Sequence, residues 1–319
     1  MGCPTNKNNF IRRGWIKIKA KYFRRGSNLH RSHSRFSVQR SDNSAWPLAD
    51  IYQRSFNDGV IPKEWNLANI SSIFKKGKKS DAGNYRPVSL TSVPCKVMKT
   101  IIKKSLATFL DDKSEMSKLQ HGFTKGRLCL TNLLESFEAW TRLLEAGYGV
   151  DIIYLDYRKA FDTVHHGRLI DHLKSYRVVR RITRWVKEFL SQRKMRVGVQ
   201  GSFSEWVDVL SDVPQGSVLR PLLFLIFGTD LPNWVSNSMQ MFTDDTKLWR
   251  WIHTVGDSLS LQEDLHKLIK WSDKWLLRFN PEKCKVMHVG HNVGTEYHMM
   301  ENGEVRSDKG GEPLGHLYH

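Results

Sequence analysis

The chain has 319 residues, enough for one to three domains with a sizeable core, and its net charge of +18 with a pI near 9.8 points to a polyanionic partner or an anionic surface. The four cysteines, Cys3, Cys95, Cys129 and Cys284, have neither Cys-x-x-Cys nor Cys/His ligand spacing, which excludes a disulfide scaffold and a zinc module and fits a reducing compartment. The longest apolar run, Leu222 to Phe227, is too short to cross a bilayer, the N-terminus lacks the apolar core of a signal peptide, and Asn6 stands where a myristoylation start needs Ser or Thr. A soluble intracellular protein of the nucleus and/or cytoplasm is expected.

Residues 1–45 hold 11 Lys or Arg against the single acid Asp42, and so carry +10 of the net charge. They show no sustained periodicity and read as a disordered basic segment able to touch nucleic acid without specificity. A second reading, unrelated sequence joined ahead of a truncated element, stays open. From Leu48 the chain is patterned. A helix is predicted over 48–57, a strand over 66–74, and a basic Gly-containing loop at Lys75-Lys76-Gly77-Lys78-Lys79. Helical spacing follows over 95–110 (Val97, Ile101, Leu106, Leu110) and 130–145 (Leu130, Leu133, Leu134, Phe137).

The run Asp151-Ile-Ile-Tyr-Leu-Asp156 reads as a buried strand ending in an acid. Helices are predicted over 168–176 and 180–190, and short strands over 195–199 and 206–210. An apolar helix at 217–228 is opened by Gly216-Ser217. A hairpin over 238–250, an amphipathic helix over 257–277 and a strand over 286–289 complete the order. Helices and strands alternating around a central antiparallel hairpin favour an α+β fold over a doubly wound parallel sheet. Residues 291–319, rich in Gly and His, read as loosely structured.

The chemistry sits in the acids. Asp244 and Asp245 lie together at the tip of the hairpin, flanked by apolar residues. Adjacent like charges repel, and burial worsens the repulsion, so such a pair is stabilised by a cation unless it is simply a turn. Asp156 supplies a third carboxylate from another strand end. Carboxylates on separate strands are what a two-metal phosphoryl-transfer site requires, with the ions about 3.5–4 Å apart bridging the attacking and leaving oxygens.

These segments resemble the motifs of reverse transcriptases from non-LTR retrotransposons (LINE elements), of the jockey and chicken-repeat type. Tyr154-Leu-Asp-Tyr-Arg-Lys-Ala-Phe-Asp-Thr-Val-His-His166 is similar to motif A, Val213-Pro-Gln-Gly-Ser-Val-Leu-Arg-Pro-Leu-Leu-Phe224 to motif B, and Phe242-Thr-Asp-Asp245 to motif C. Asn84-Tyr-Arg-Pro-Val-Ser-Leu90 and Gln120-His-Gly-Phe-Thr-Lys-Gly-Arg127 resemble the finger motifs, and Trp275 to Lys285 resembles motif D. All stand in the family's order, across roughly residues 46–290.

The resemblance implies right-hand polymerase fingers and palm over 46–290, an antiparallel palm sheet packed on helices, and an incomplete thumb or tail at 291–319. It implies RNA-directed DNA polymerase activity on an RNA template, a DNA primer and deoxynucleoside triphosphates, with two Mg²⁺ ions, or Mn²⁺ in their place. Asp156 and Asp244 become the bridging ligands, Asp245 stands beside them, and the backbone carbonyl of Tyr157 faces a metal. Phe161 becomes a steric gate under the incoming sugar. Gln215 and Gly216 contact the nucleotide and templating pair, Lys75 and Arg86 grip the triphosphate, and Lys283 (with Lys285 as competitor) protonates the leaving pyrophosphate.

Three positions depart from the pattern. Arg220 replaces a usual Gly in motif B, Cys95 a usual Gly in the finger helix, and Thr243 a usual Ala. With no endonuclease segment ahead of the palm and little chain left for a thumb, poor processivity is expected. The alternative is a catalytically inactive remnant that still binds RNA or RNA–DNA hybrid.

Overall fold

The structure, a computed structural model, describes residues 41–209, 213–214, 216–290, 294–300, 303–304 and 306–307. Residues 1–40 of the expected basic segment, and Gln215, lie outside the described residues. The first half of the chain runs through α1 (Ser41–Asp58), β1 (Leu67–Phe74), β2 (Tyr85–Leu90), α2 (Val93–Lys113), α3 (Cys129–Glu145), β3 (Gly149–Leu155), α4 (His166–Ser175) and α5 (Arg180–Leu190). Then come β4 (Lys194–Val199), β5 (Ser202–Phe203), β6 (Val207–Asp208), α6 (Arg220–Phe227), β7 (Ser238–Phe242), β8 (Asp245–Ile252) and α7 (Val255–Trp275). Strands β9 (Lys285–Val289), β10 (His298–Met300), β11 (Gly303–Glu304) and β12 (Arg306–Ser307) close it. No helix among the described residues is long and apolar enough to cross a membrane.

The predicted elements are present, with two differences in the first half. Helix α1 starts at Ser41, seven residues ahead of the predicted span; its first residues are Ser, Asp and Asn, which favour caps and turns in a propensity reading. Strand β2 carries Pro87, which argues against a strand, but β2 is the edge of its sheet, where Pro is tolerated.

The chain divides into two compact units, one comprising the described residues to Lys113 with Leu169–Arg220, the other Ser114–Arg168 with the residues from Pro221 onward. In the first, the sheet runs β2-β1-β4, with β5 and β6 both paired to β4. One face buries Ala68, Ile70 and Ser89; the alternate residues of β1 and β2 stay half-buried or exposed. Helix α2 buries Val97, Ile101, Leu106 and Leu110, the stripe read from the sequence, together with Met98 and Ile102. Helices α1 and α5 meet where Trp185 Nε1 donates to Ser55 Oγ at 3.1 Å.

The second unit holds the sheet β12-β9-β3-β8-β7, antiparallel except where β12 joins β9. Strand β3 is central and buried on both faces, which is why it reads as a continuous apolar run. Trp140 of α3 packs with Val150, Ile152 and Trp249 on one face, and α7 packs against β8 with its buried Leu261, Leu265, Leu268 and Trp271. Residues 291–319 are not simply loose: among those described, β10 pairs β11 and β12 joins the sheet edge. Tyr297 OH donates to Asp151 Oδ2 at 2.7 Å, and Asp151 Oδ1 meets His288 Nδ1 at 2.7 Å. Strands of two or three residues carry no periodic signal; a buried acid ties this stretch to the sheet.

One core position in the first unit works against stability. Lys99 is 0% exposed, donates to Thr91 Oγ1 at 3.0 Å and lies 5.4 Å from the Phe189 ring. Burial pulls its ammonium down to about 8. A base whose folded pKa falls below its unfolded value costs stability while charged. The cost is complete below about pH 8 and fades as the pH rises toward 10.5. Lys99→Met is expected to raise the melting temperature at pH 7.5 by about 2–8 °C and to flatten the gain the parent shows between pH 7.5 and 9.5. Thermal unfolding at both pH values checks this; parallel slopes in parent and variant would refute it.

Candidate active site

Strand pairing brings the three acids to one end of the second unit's sheet. Leu155, the last residue of β3, pairs with Thr246 of β8. Asp156 follows Leu155 directly and Asp245 precedes Thr246 at the start of β8, and the charge of Asp156 acts on Asp245. Strands β7 and β8 are joined by Thr243-Asp244, with Phe242 opposite Asp245. Asp156 accepts from Lys283 Nζ at 3.3 Å, an exposed pair of small worth. Although the Asp245 side chain keeps contact with solvent, its pKa is pushed up to about 7, first by burial and then by the charges of Asp244 and Asp156.

Among the described residues no three His, Cys, Asp or Glu side chains converge into a preformed metal cage. The donor set nevertheless suits Mg²⁺. That ion takes hard oxygen ligands, keeps several waters and uses one or two carboxylates plus substrate phosphates. Burial first, and then the charges of Asp244 and Asp156, disfavour the ionised form of Asp245, a cost that a divalent cation would offset.

The backbone after Asp156 is held by the motif D segment. Asn280 N donates to Asp156 O at 2.8 Å and Arg158 N to Arg278 O at 2.8 Å, bracketing the Tyr157–Phe279 bridge. In that pattern the N–H and C=O of Tyr157 lie on the opposite edge, away from Phe279. The Tyr157 ring stacks on Phe279 at 4.6 Å and is buried, which pushes its hydroxyl pKa above the usual range. Lys159, at φ +53°, turns the chain into the short helical turn Ala160–Asp162. Phe161, half-buried there, rests on Phe224 with ring centroids 4.4 Å apart.

The hairpin turn has a clamp whose role the sequence does not show. Thr243 sits at φ +63°, a conformation that costs a β-branched residue about 1–3 kcal/mol. Gln120 holds it there: its Oε1 accepts from Thr243 N at 2.7 Å and from Gly122 N at 2.7 Å, and its Nε2 donates to Thr243 O at 3.1 Å. Flanking bonds run from His121 N to Met241 O and from Met241 N to Leu119 O, both 2.9 Å. A Cβ on Gly122 would press on Thr243 Oγ1 and N and lie 2.9 Å from its Cα. Beneath the hairpin, Lys247 Nζ donates to Ser136 Oγ at 2.8 Å and Gln240 Nε2 to Glu135 Oε2 at 3.0 Å, a polar floor missed because each residue alone reads as surface.

The other predicted residues belong to the first unit. Lys75 follows β1 in the loop to β2, its N–H bonded to Asn84 O at 2.8 Å, and Arg86 pairs with Ile73; both side chains are exposed. Gly216 has φ +89°, and a Cβ there would lie 3.2 Å from Ser89 O, so both the conformation and the close approach require glycine. Arg220 is 8% exposed, so this cation is packed inside the protein instead of projecting at the surface. Gln215 lies outside the described residues. If the Gln120 clamp sets the turn, Gly122→Ala should lower the melting temperature by about 2–4 °C or more. An unchanged melting temperature would remove the clamp from the account.

A family model described as reverse transcriptase (RNA-dependent DNA polymerase) matches residues 74–315. The chain is 30% identical over 268 residues to the RNA-directed DNA polymerase from mobile element jockey of Drosophila melanogaster, covering 81% of this chain and 29% of that protein. It is 29% identical over 254 residues to the probable RNA-directed DNA polymerase from transposon BS of Drosophila melanogaster, covering 74% of this chain and 27% of that one. It thus spans less than a third of the length of either relative. Among solved structures, apo telomerase from Candida tropicalis, truncated from its C-terminal domain, superposes with a TM-score of 0.52 at 12% identity, covering 79% of this chain and 57% of that one. That likeness shows a shared fold. With six motifs in order and acids adjoining at the ends of β3 and β8, the chain belongs to the reverse transcriptase (RNA-dependent DNA polymerase) family.

Proposed function

We propose that this chain adds deoxynucleotides to a DNA primer 3′-hydroxyl on an RNA template. The observation that carries the reading is the pairing of Leu155 with Thr246, which leaves Asp156 and Asp245 at the same end of the β3–β8 ladder, with Asp244 in the turn next to it. On this reading Asp156, Asp244, Asp245 and the carbonyl of Tyr157 would hold two Mg²⁺ ions, whose chemistry when bound would be charge neutralisation at the α-phosphate and a lowered pKa of the attacking hydroxyl. Phe161, propped by Phe224, presents a ring edge that excludes a 2′-hydroxyl. Lys283, already 3.3 Å from Asp156, can give a proton to the departing pyrophosphate, and Lys75 and Arg86 contact the triphosphate. Such work belongs to the nucleus and/or cytoplasm.

Deoxynucleotide incorporation on a poly(A)–oligo(dT) substrate tests the reading. Asp244→Ala and Asp156→Asn are each expected to cut the rate by about two orders of magnitude or more, with hybrid binding retained. Hybrid binding without any incorporation by the parent would mark an inactive remnant instead. A second measurement addresses the ions directly. Because burial and the charges of Asp244 and Asp156 push the Asp245 pKa up to about 7, the carboxyl is expected to carry a proton at pH 6 that it must lose to bind a cation. Mg²⁺ titrated into the protein at pH 6 should release close to one proton, with little release at pH 8.5 and none in Asp245→Asn. Calorimetry in buffers of different ionisation enthalpy reads this; equal release at both pH values would contradict it.

A further inference from the structure

The polar groups beneath the hairpin of the second unit meet at a histidine that the catalytic reading leaves unused. The His121 side chain is 0% exposed, and three parts of the same unit face it. Helix α3 presents Thr131 and Glu135, four residues apart and so on one side of the helix. The loop that follows His121 returns Arg127, and β8 contributes the charge of Lys247. His121 Nδ1 lies 3.0 Å from Thr131 Oγ1, while Nε2 lies 2.7 Å from Arg127 Nη1 and 3.2 Å from Glu135 Oε2.

Counting donors fixes where the imidazole proton sits. A hydroxyl has one proton to give; Thr131 Oγ1 gives it to Leu128 O at 2.7 Å and accepts from Leu128 N at 2.9 Å. Toward His121 it can only accept, so Nδ1 carries a proton. Arg127 is a donor at every pH, so Nε2 beside it is the bare, accepting nitrogen. The network thus assigns a neutral ring. Burial holds the imidazole below its usual pKa of 6.5; Glu135 opposes this, and Arg127 and Lys247 add to it. Protonation is therefore a cost that appears only as the pH falls below 6.5.

A proton added at Nε2 would reverse the two contacts there. Imidazolium donates from both nitrogens, so Nε2 would turn from Arg127 to Glu135. The Arg127 contact closes a loop in which Phe123, Lys125 and Gly126 are exposed and Phe123 and Gly126 stand at φ +52° and +76°. The same loop begins with the clamp: Gln120 on Thr243, His121 N on Met241 O at 2.9 Å, and Gly122 N on Gln120 Oε1 at 2.7 Å. Asn132 Nδ2, next to Thr131 on α3, donates to the same Met241 O at 3.3 Å. The state of the ring therefore reaches the turn that carries Asp244.

We propose that His121 is a positioning residue for the acid-bearing hairpin: neutral, it accepts from Arg127 and holds the Gln120 clamp shut; protonated, it exchanges Arg127 for Glu135 and slackens the clamp. The coupling to the hairpin stands on the geometry, and its consequence for incorporation rests on the polymerase reading. The test is amide hydrogen exchange of the whole chain at pH 7.5 and 5.0, corrected for intrinsic rates, with incorporation measured at saturating Mg²⁺. In the parent, protection of the Gly122 and Thr243 amides should fall about tenfold at the lower pH, and incorporation with it. His121→Gln, whose amide oxygen can accept from Arg127 but cannot titrate, should lose both pH effects. Glu135→Gln, which removes the competing charge, should move the fall to lower pH. Asp245→Asn should keep the fall in protection, which separates it from titration of that acid.

An equal fall in parent and His121→Gln, no fall in either, or its loss in Asp245→Asn would overturn the proposal. Circular dichroism reports whether a variant has folded; should His121→Gln not fold, the shift in Glu135→Gln decides alone. Protection that depends on His121 without any incorporation by the parent would reject the polymerase reading and leave the positioning role standing. Incorporation with protection indifferent to pH would do the reverse.

Discussion

Three carboxylates share the end of one antiparallel ladder, and the protein must hold them there against their mutual repulsion. Main-chain pairing does most of that work. Strand β3 is locked between β8 and β9, Asp156 is tied by its carbonyl to Asn280, and Asp245 opens a strand whose next residues are buried. The charges therefore sit on backbone that cannot relax away from them. The pKa of Asp245 is raised first by burial and then by the charges of Asp244 and Asp156.

The turn between β7 and β8 extends the same logic. A two-residue hairpin turn favours residues that tolerate positive φ, and Thr243 is a poor choice for it. Gln120 supplies from a distant segment what the local sequence lacks, a donor and an acceptor matched to the Thr243 peptide groups. Gly122 leaves the space for that approach. Strain at a functional turn is thus offset by tertiary hydrogen bonds, and residues more than a hundred positions apart become one local structure.

In the first unit, polar and aromatic groups are distributed by face. The inner side of β1 and β2 buries Ala68, Ile70 and Ser89, while Lys99 lies among the buried residues of α2. The outer side holds Arg196 near the rings of Phe203 and Trp206. Burial pulls the Lys99 ammonium down to about 8.

Much of this was legible in the amino-acid order. The α2 stripe, the apolar β3 run and the acid pair at the hairpin tip follow from periodicities that any folded context would respect. The motifs likewise name their acids without coordinates, because the chemistry tolerates few substitutes at those positions. What only the tertiary structure decided are the relations between distant segments: the clamp of Gln120 on Thr243, the edge position that admits Pro87, the tail strands tied to Asp151, and the approach of Arg196 to Phe203 and Trp206. Each depends on which strands become neighbours and in what register. Residue identity leaves that undetermined, because the same hydrogen bonds are available to many pairings until packing selects one.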